Sequence, residues 1–353
     1  DVWGYTASDG SEYGIIGNVD SIMVIDVTNP ATPVREYGYD GGNSAIWRDF
    51  KVHNDHLYAV CDGCSEGLHI FDLSALPNGD VSHVTTTTQF FSRAHNIFID
   101  TLSQRLYAAG TNTVSEGLVV LDISVPGQPT LLANVEFEPG SPDNYYVHDL
   151  YVQNDTAYCS HGNLGYYVWD MINLASVVNL GSYDSPGYNH SSWNHSSGQY
   201  AYYAEEVPLG RPMAVMDLSN LGSTTADIQL VTTFKDPIST ISELVTPHNP
   251  FVDDDTLYIS YYEDGLKVYD LSNPLDPALI GYYDSYPDNG QNYTGYNGAW
   301  GCYPFLPSGN ILVSDVTYGL NVIQTQTCPN PVHYYEDKDG DGFGNPNVSV
   351  FSC

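Results

Sequence analysis

The chain reads as an all-β protein: a seven-bladed β-propeller followed by a short C-terminal Asp-rich calcium-binding tail. Three observations lead there. A phrase of the form Gly-Leu-x-Val-x-Asp returns seven times at a near-constant spacing, each copy lies in a unit of four short strands, and closely spaced aspartates break the period at the end.

The phrase appears as SIMVID at 21–26, GLHIFD at 67–72, GLVVLD at 117–122 and GLKVYD at 265–270. It recurs as YYVWDM around Asp170, as MAVMDL around Asp217 and as GLNVIQ at 319–324. The marker positions 26, 72, 122, 170, 217, 270 and 324 lie 46 to 54 residues apart, which marks a repeat architecture. Within one unit, residues 94–134, AHNIFID, RLYAAG, GLVVLDIS and TLLANVEF are four short strands rich in β-branched and aromatic residues, separated by turn signals. The aspartate closing each third strand accepts hydrogen bonds from backbone N–H groups just downstream, and the Ser/Thr-Asn-Pro that follows turns the chain into the outer strand. Those aspartates are architectural. The unit GAWGCYPF, GNILVSDV, GLNVIQT lacks a clear fourth strand, so segments from both ends are expected to share closure of one sheet.

Composition narrows the function classes. The 353 residues carry 43 Asp+Glu against 9 Lys+Arg, a net charge of −34. Such a surface repels nucleic acid and anionic membranes and suits divalent cations and salt water. No apolar run reaches the roughly 18 residues of a membrane helix, so no direct membrane insertion is expected. The first residue is Asp1, without Met or leader, which fits either a removed signal peptide or a fragment. A secreted or cell-surface bacterial protein is the expectation. Of the six cysteines, Cys61 and Cys64 form C-D-G-C in a turn, a tight disulfide or half of a zinc site that no second CxxC completes. Cys328 and Cys353 bracket the tail and are expected to pair, while Cys159 and Cys302 read as buried thiols.

Aligning the first strand of each unit gives WRDFK, AHNIF, VHDLY, NHSSW, PHNPF and AWGCY. One column holds Arg48, His95, His148, His190 and His248; the next holds Asp49, Asn96, Asp149, Ser191 and Asn249. First strands line the channel of a propeller, so these side chains converge on one mouth. Imidazole and carboxylate together suit a transition metal or a polar substrate; the competing reading is a structural belt satisfying strand ends and channel water. His53, His56, His69, His83, His161 and His195 fall in hairpins or on alternate faces and read as surface residues.

These motifs resemble the choice-of-anchor B proteins, a bacterial surface family built from LVIVD-type repeats. The resemblance runs over about residues 1–325, through WRDFKVHNDHLYAV, AHNI, YVHDLYV, HNPF and GLKVYDLS to GAWGCYPFLPSGNILVSDVTYGL. At 188–193 the chain has Tyr-Asn-His-Ser-Ser-Trp where the family has Tyr-Thr-His-Gln-Gly-Trp. The resemblance implies a secreted or surface-attached propeller with a C-terminal anchoring segment and no established activity.

The propeller is assigned to residues 1–326 and the tail to 327–353. Asp337, Asp339 and Asp341, with Gly342 for the turn and the carbonyl of Phe343, make the first half of a calcium loop. Position 12 is Val348 and not Glu, so the loop resembles a thrombospondin type 3-like repeat more than an EF-hand. Further repeats and an anchor are expected beyond it. With neither G-x-S-x-G nor HExxH present, the expected function is a non-enzymatic module for adhesion, ligand binding or filament assembly on a calcium-stabilised stalk. Its partners would be an extracellular protein, a glycan or neighbouring copies. The alternatives are a metal-dependent hydrolase or lyase at the His-lined mouth, and a glycan-binding propeller using Trp3, Trp47, Trp193 and Trp300 as stacking platforms.

Overall fold

The computed structural model describes residues 1–42, 45–114, 116–137, 146–223, 227–239, 244–287 and 295–324, with the backbone of 332–335 and 349–352. Seven antiparallel meanders stand round a central axis. Blade one is β1 (Val2–Thr6), β2 (Glu12–Gly17), β3 (Ser21–Asp26) and β4 (Val34–Asp40); blade two is β5 (Arg48–His53), β6 (His56–Cys61), β7 (Leu68–Asp72) and β8 (Ser82–Thr87). Blade three is β9 (Asn96–Asp100), β10 (Arg105–Ala109), β11 (Gly117–Asp122) and β12 (Thr130–Glu136). Blade four is β13 (Asp149–Gln153), β14 (Thr156–Ser160), β15 (Tyr166–Asp170) and β16 (Val178–Tyr183). Blade five is β17 (Tyr188–Asn194), β18 (Tyr200–Val207), β19 (Met213–Asp217) and β20 (Gln229–Phe234). Blade six is β21 (Pro250–Asp253), β22 (Thr256–Ser260), β23 (Leu266–Asp270) and β24 (Ala278–Tyr283). Among the described residues blade seven holds three strands, β25 (Ala299–Tyr303), β26 (Asn310–Asp315) and β27 (Gly319–Gln324), and a separate hairpin pairs β28 (Val332–Tyr335) with β29 (Ser349–Ser352). Among the described residues there is no α-helix, and so none long and apolar enough to cross a membrane.

The recurring phrase is explained by three local devices. Its aspartate closes the third strand by accepting the N–H two residues on, as in Asp72 to Ser74 at 2.8 Å and Asp270 to Ser272 at 2.7 Å. The same bond recurs at Asp26, Asp122, Asp170 and Asp217. Its glycine sits where the fourth strand passes close by: at Gly67 (φ +78°) and Gly265 (φ +74°) a Cβ would fall 2.2 Å from the carbonyl oxygen of Thr87 and 2.0 Å from that of Tyr283. Between the third and fourth strands of each four-stranded blade the register slips once, after Val24, Ile70, Val120, Val168, Val215 and Val268. Bulges of this kind add local twist, and an outer strand that twists away also makes a poor template for another sheet.

Each blade packs both faces against its neighbours. Tyr58, Val60, Leu68 and Ile70 of blade two meet Ile97, Leu106, Val119 and Leu121 of blade three in one buried cluster, and comparable clusters fill the other gaps. This corrects the reading of His69, His161 and His195 as surface residues: they are buried, His69 on β7 between blades, and His161 and His195 just past β14 and β17, where neighbouring blades cover them. Cys61 and Cys64 form a disulfide, and Cys159 and Cys302 are buried free thiols.

Closure also differs from expectation. No strand of one end joins the other end's sheet among the described residues; β1 to β4 form one sheet and β25 to β27 another. The seam is closed by packing instead. Val2 and Val27 meet Leu306 and Leu312, and the Glu12 carboxylate accepts hydrogen bonds from the Ser308 N–H at 2.7 Å and hydroxyl at 2.6 Å. The calcium ligands expected at Asp337, Asp339, Asp341 and Phe343, and the expected Cys328–Cys353 pair, lie outside the described residues.

Candidate functional site

The first strands β1, β5, β9, β13, β17, β21 and β25 line the axis. At one end, a cavity of about 30 Å³ is bordered by Trp47, Arg48, Asp49, His95, Asn96, His148, Asp149, His190, His248, Asn249 and Trp300. The structure therefore brings the whole aligned His column, with its acid and amide neighbours, to one mouth.

The four imidazoles form an arc. Ring centroids are 4.2 Å apart from His95 to His148, 4.4 Å from His148 to His190 and 4.0 Å from His190 to His248. His148 Nδ1 lies 3.1 Å from the carbonyl oxygen of His190, and His190 Nδ1 lies 3.2 Å from that of His248. His248 Nδ1 bonds the carbonyl of Trp300 in the same way. A carbonyl only accepts, so each of these Nδ1 atoms carries the proton and donates it, leaving Nε2 with an open lone pair. Burial lowers the pKa of all three rings and other imidazoles of the arc add to it, while at His190 the Glu206 carboxylate opposes the shift without reversing it. His95 differs: its Nδ1 faces Asp62 at 3.0 Å, inside the Cys61–Cys64 turn.

Sequence alignment missed one member of the group. Glu206 sits on β18, where the register with β17 jumps from Val207 to Glu205, so it is the extra residue of a bulge. Bulges next to active sites re-aim side chains. Here the bulge brings the Glu206 carboxylate to His190 and His248, with all three candidate ligand atoms within 4.8 Å of one another. The Tyr262 hydroxyl donates to Glu206 Oε1 at 2.5 Å.

Other expected site residues have structural partners. Arg48 spends its guanidinium on the carbonyls of Asn18, Gly41 and Val19, tying blade one to blade two. Asp49 binds Lys51 Nζ at 2.8 Å and accepts the N–H of Ile97. Asn96 donates to Asp149 at 3.1 Å, and Asn249 to the Trp300 carbonyl at 3.2 Å.

Three residues beyond the His column, each first strand contributes to a plug of Lys51, Phe98, Tyr151, Trp193, Phe251 and Tyr303, joined by Trp3. Centroids are 5.2 Å apart for Phe98–Tyr151, 4.6 Å for Tyr151–Trp193, 4.9 Å for Trp193–Phe251 and 4.9 Å for Trp3–Tyr303, with Lys51 Nζ 4.5 Å over Trp3. Trp3 and Trp193 are thus engaged in packing within the plug and are only partly exposed. Trp47 is 45% exposed, and Trp300 packs on His248 at 4.8 Å while also walling a larger cleft of about 310 Å³ at the seam.

No protein-family model matches the chain, and no curated protein does. Many solved structures share its fold. It is similar to the Cps50 β-propeller domain of Myceliophteria thermophila (TM-score 0.60, 12% identity, 90% of this chain and 94% of that one). It is also similar to a putative 6-phosphogluconolactonase of Bacteroides uniformis (TM-score 0.59, 14% identity, 89% of each chain). A third is the periplasmic gluconolactonase of Pseudomonas aeruginosa (TM-score 0.58, 10% identity, 79% of this chain and 84% of that one). At these identities the likeness shows the fold. Against the expectation of a non-enzymatic adhesion module, solved chains of this architecture include a gluconolactonase and two putative 6-phosphogluconolactonases, so the fold gives that expectation no support. The physical basis of that expectation was the lack of nucleophile motifs, and hydrolysis by an activated water requires none.

Proposed function

We propose that the chain is a hydrolase of small cyclic esters of the sugar-lactone class, acting at the His-lined mouth. The observation that carries this reading is the arc of neutral imidazoles whose Nδ1 protons are tied to carbonyls, leaving their Nε2 lone pairs free to accept a proton. The names of the similar solved structures support it. A cavity of about 30 Å³ has room for the attacking water, and the rings of Tyr146, Tyr188 and Tyr262 pack beside the imidazoles that border it. An Nε2 lone pair takes a proton as the water oxygen bonds to the carbonyl carbon. The ring C–O bond then breaks, the alkoxide leaves with that proton, and the product is a hydroxy acid that ionises. The acidic surface and the Cys61–Cys64 disulfide support work outside the cytoplasm.

The test follows acid release from glucono-1,5-lactone at mildly acidic pH, with the spontaneous rate subtracted. The parent protein is expected to accelerate opening, and His148→Ala to lower kcat/KM by roughly 100-fold or more. A parent no faster than buffer, across several aldonolactones, removes the reading.

A further inference from the structure

We propose that His190, His248 and Glu206 hold one divalent transition-metal ion of the zinc class. The site stands on a cluster of ligand-type side chains that needs only a small inward movement to close on an ion. Two imidazole nitrogens and one carboxylate oxygen converge within 4.8 Å, a donor set that selects zinc-like ions over calcium or magnesium. Both rings have the second hydrogen bond that metal-ligating histidines almost always make: His190 Nδ1 to the His248 carbonyl at 3.2 Å and His248 Nδ1 to the Trp300 carbonyl. The carboxylate is held likewise, by the Tyr262 hydroxyl.

A second observation points to a ligand. His248 is 1% exposed, and its Nε2 is buried with no hydrogen-bond partner. An orphaned lone pair inside a protein asks for a cation or a donor. Glu206 is half-buried on a bulge and supplies the adjustable arm, whereas both histidines are fixed by their blades. Three protein ligands leave a fourth position for water, the pattern of catalytic rather than structural zinc. The ion deepens the hydrolase reading and rests on it for its chemical purpose, since it would acidify the water that opens the lactone.

The experiment reads binding, so the two readings fail separately. Protein stripped with a chelator and dialysed is titrated with Zn²⁺ by calorimetry, and metal content is counted after gel filtration. One ion per chain is expected at the mouth. Affinity should fall on the order of 100-fold in His248→Ala and at least tenfold in Glu206→Gln, and stay unchanged in His83→Ala, which alters an exposed ring far from the cluster. Co²⁺ added to the unmutated protein should give the strong visible bands of a four-coordinate nitrogen–oxygen site, a readout needing no variant. No mouth-specific zinc, or equal affinity in parent and both mouth variants, overturns the site. Zinc bound without lactone turnover leaves the site standing and removes the hydrolase; absence of mouth-specific zinc with turnover that survives full chelation removes the site and leaves the hydrolase standing.

Discussion

Burial and the nearby Asp49 carboxylate push the Asp149 carboxyl from 3.8 up to about 7, against the pull of Lys51. The folded chain therefore holds a proton that the unfolded chain has lost between about pH 4 and pH 7, and this residue's contribution to stability falls as pH rises through that window. Burial drives His161 the other way, from 6.5 to about 3, so its contribution falls as pH drops through an overlapping range. Subtracting the Asp149→Asn curve from the parent's separates them. The variant should flatten a slope of up to about 1.4 kcal/mol per pH unit between pH 4 and pH 7, measured by urea unfolding at each pH, while retaining the bond from Asn96. Equal pH dependence in both proteins would mean Asp149 is ionised throughout. The site's histidines were legible because the repeat period aligns first strands column by column. Glu206 was not: it belongs to a second strand, and its direction depends on a bulge that no spacing in YAYYAEEV announces. The plug column was equally visible in the alignment, but an aromatic in a strand reads as ordinary core until the blades are arranged in a ring.

The blade is an element whose repeated phrase has separable parts. At Gly265 an alanine would meet both a left-handed backbone and the Tyr283 carbonyl; at Gly10 (φ +92°) it meets the backbone demand alone, with nothing within 4 Å. Gly265→Ala should cost about 1–3 kcal/mol from conformation, plus the displacement of strand β24, and so exceed Gly10→Ala in a side-by-side denaturation. A Gly10→Ala loss as large as that at Gly265 would remove the close approach as the cause. The third strand and its Asp turn were readable because turn chemistry is local. The bulges between third and fourth strands were not, since both strands remain extended and only their pairing slips. Outward-facing β4, β8 and β12 were harder still to bound, being largely exposed on the rim.

At the scale of the whole molecule, the number of blades followed from counting, and the manner of closure did not. Whether two ends share a sheet depends on pairing energies between segments about 300 residues apart, which leave no periodic trace. The seam places the Glu12 carboxylate on Ser308 without a joining strand. Glu12→Ala leaves the Ser308 groups without their charged acceptor and should destabilise by about 2 kcal/mol. Hydrogen exchange should locate the loss, with faster exchange in β1, β2 and β25 to β27 and unchanged protection in β9 to β16. Uniform loosening around the ring would mean that the seam is no weaker than any other gap. The plug of Phe98, Tyr151, Trp193, Phe251, Tyr303 and Trp3 has a kinetic consequence as well. The aromatic rings crowd the axis beyond the histidines, so whatever enters at that mouth is expected to leave by the same opening. Under the hydrolase proposal the spent molecule would then compete with the fresh one for the same threshold, which product inhibition of lactone opening would reveal.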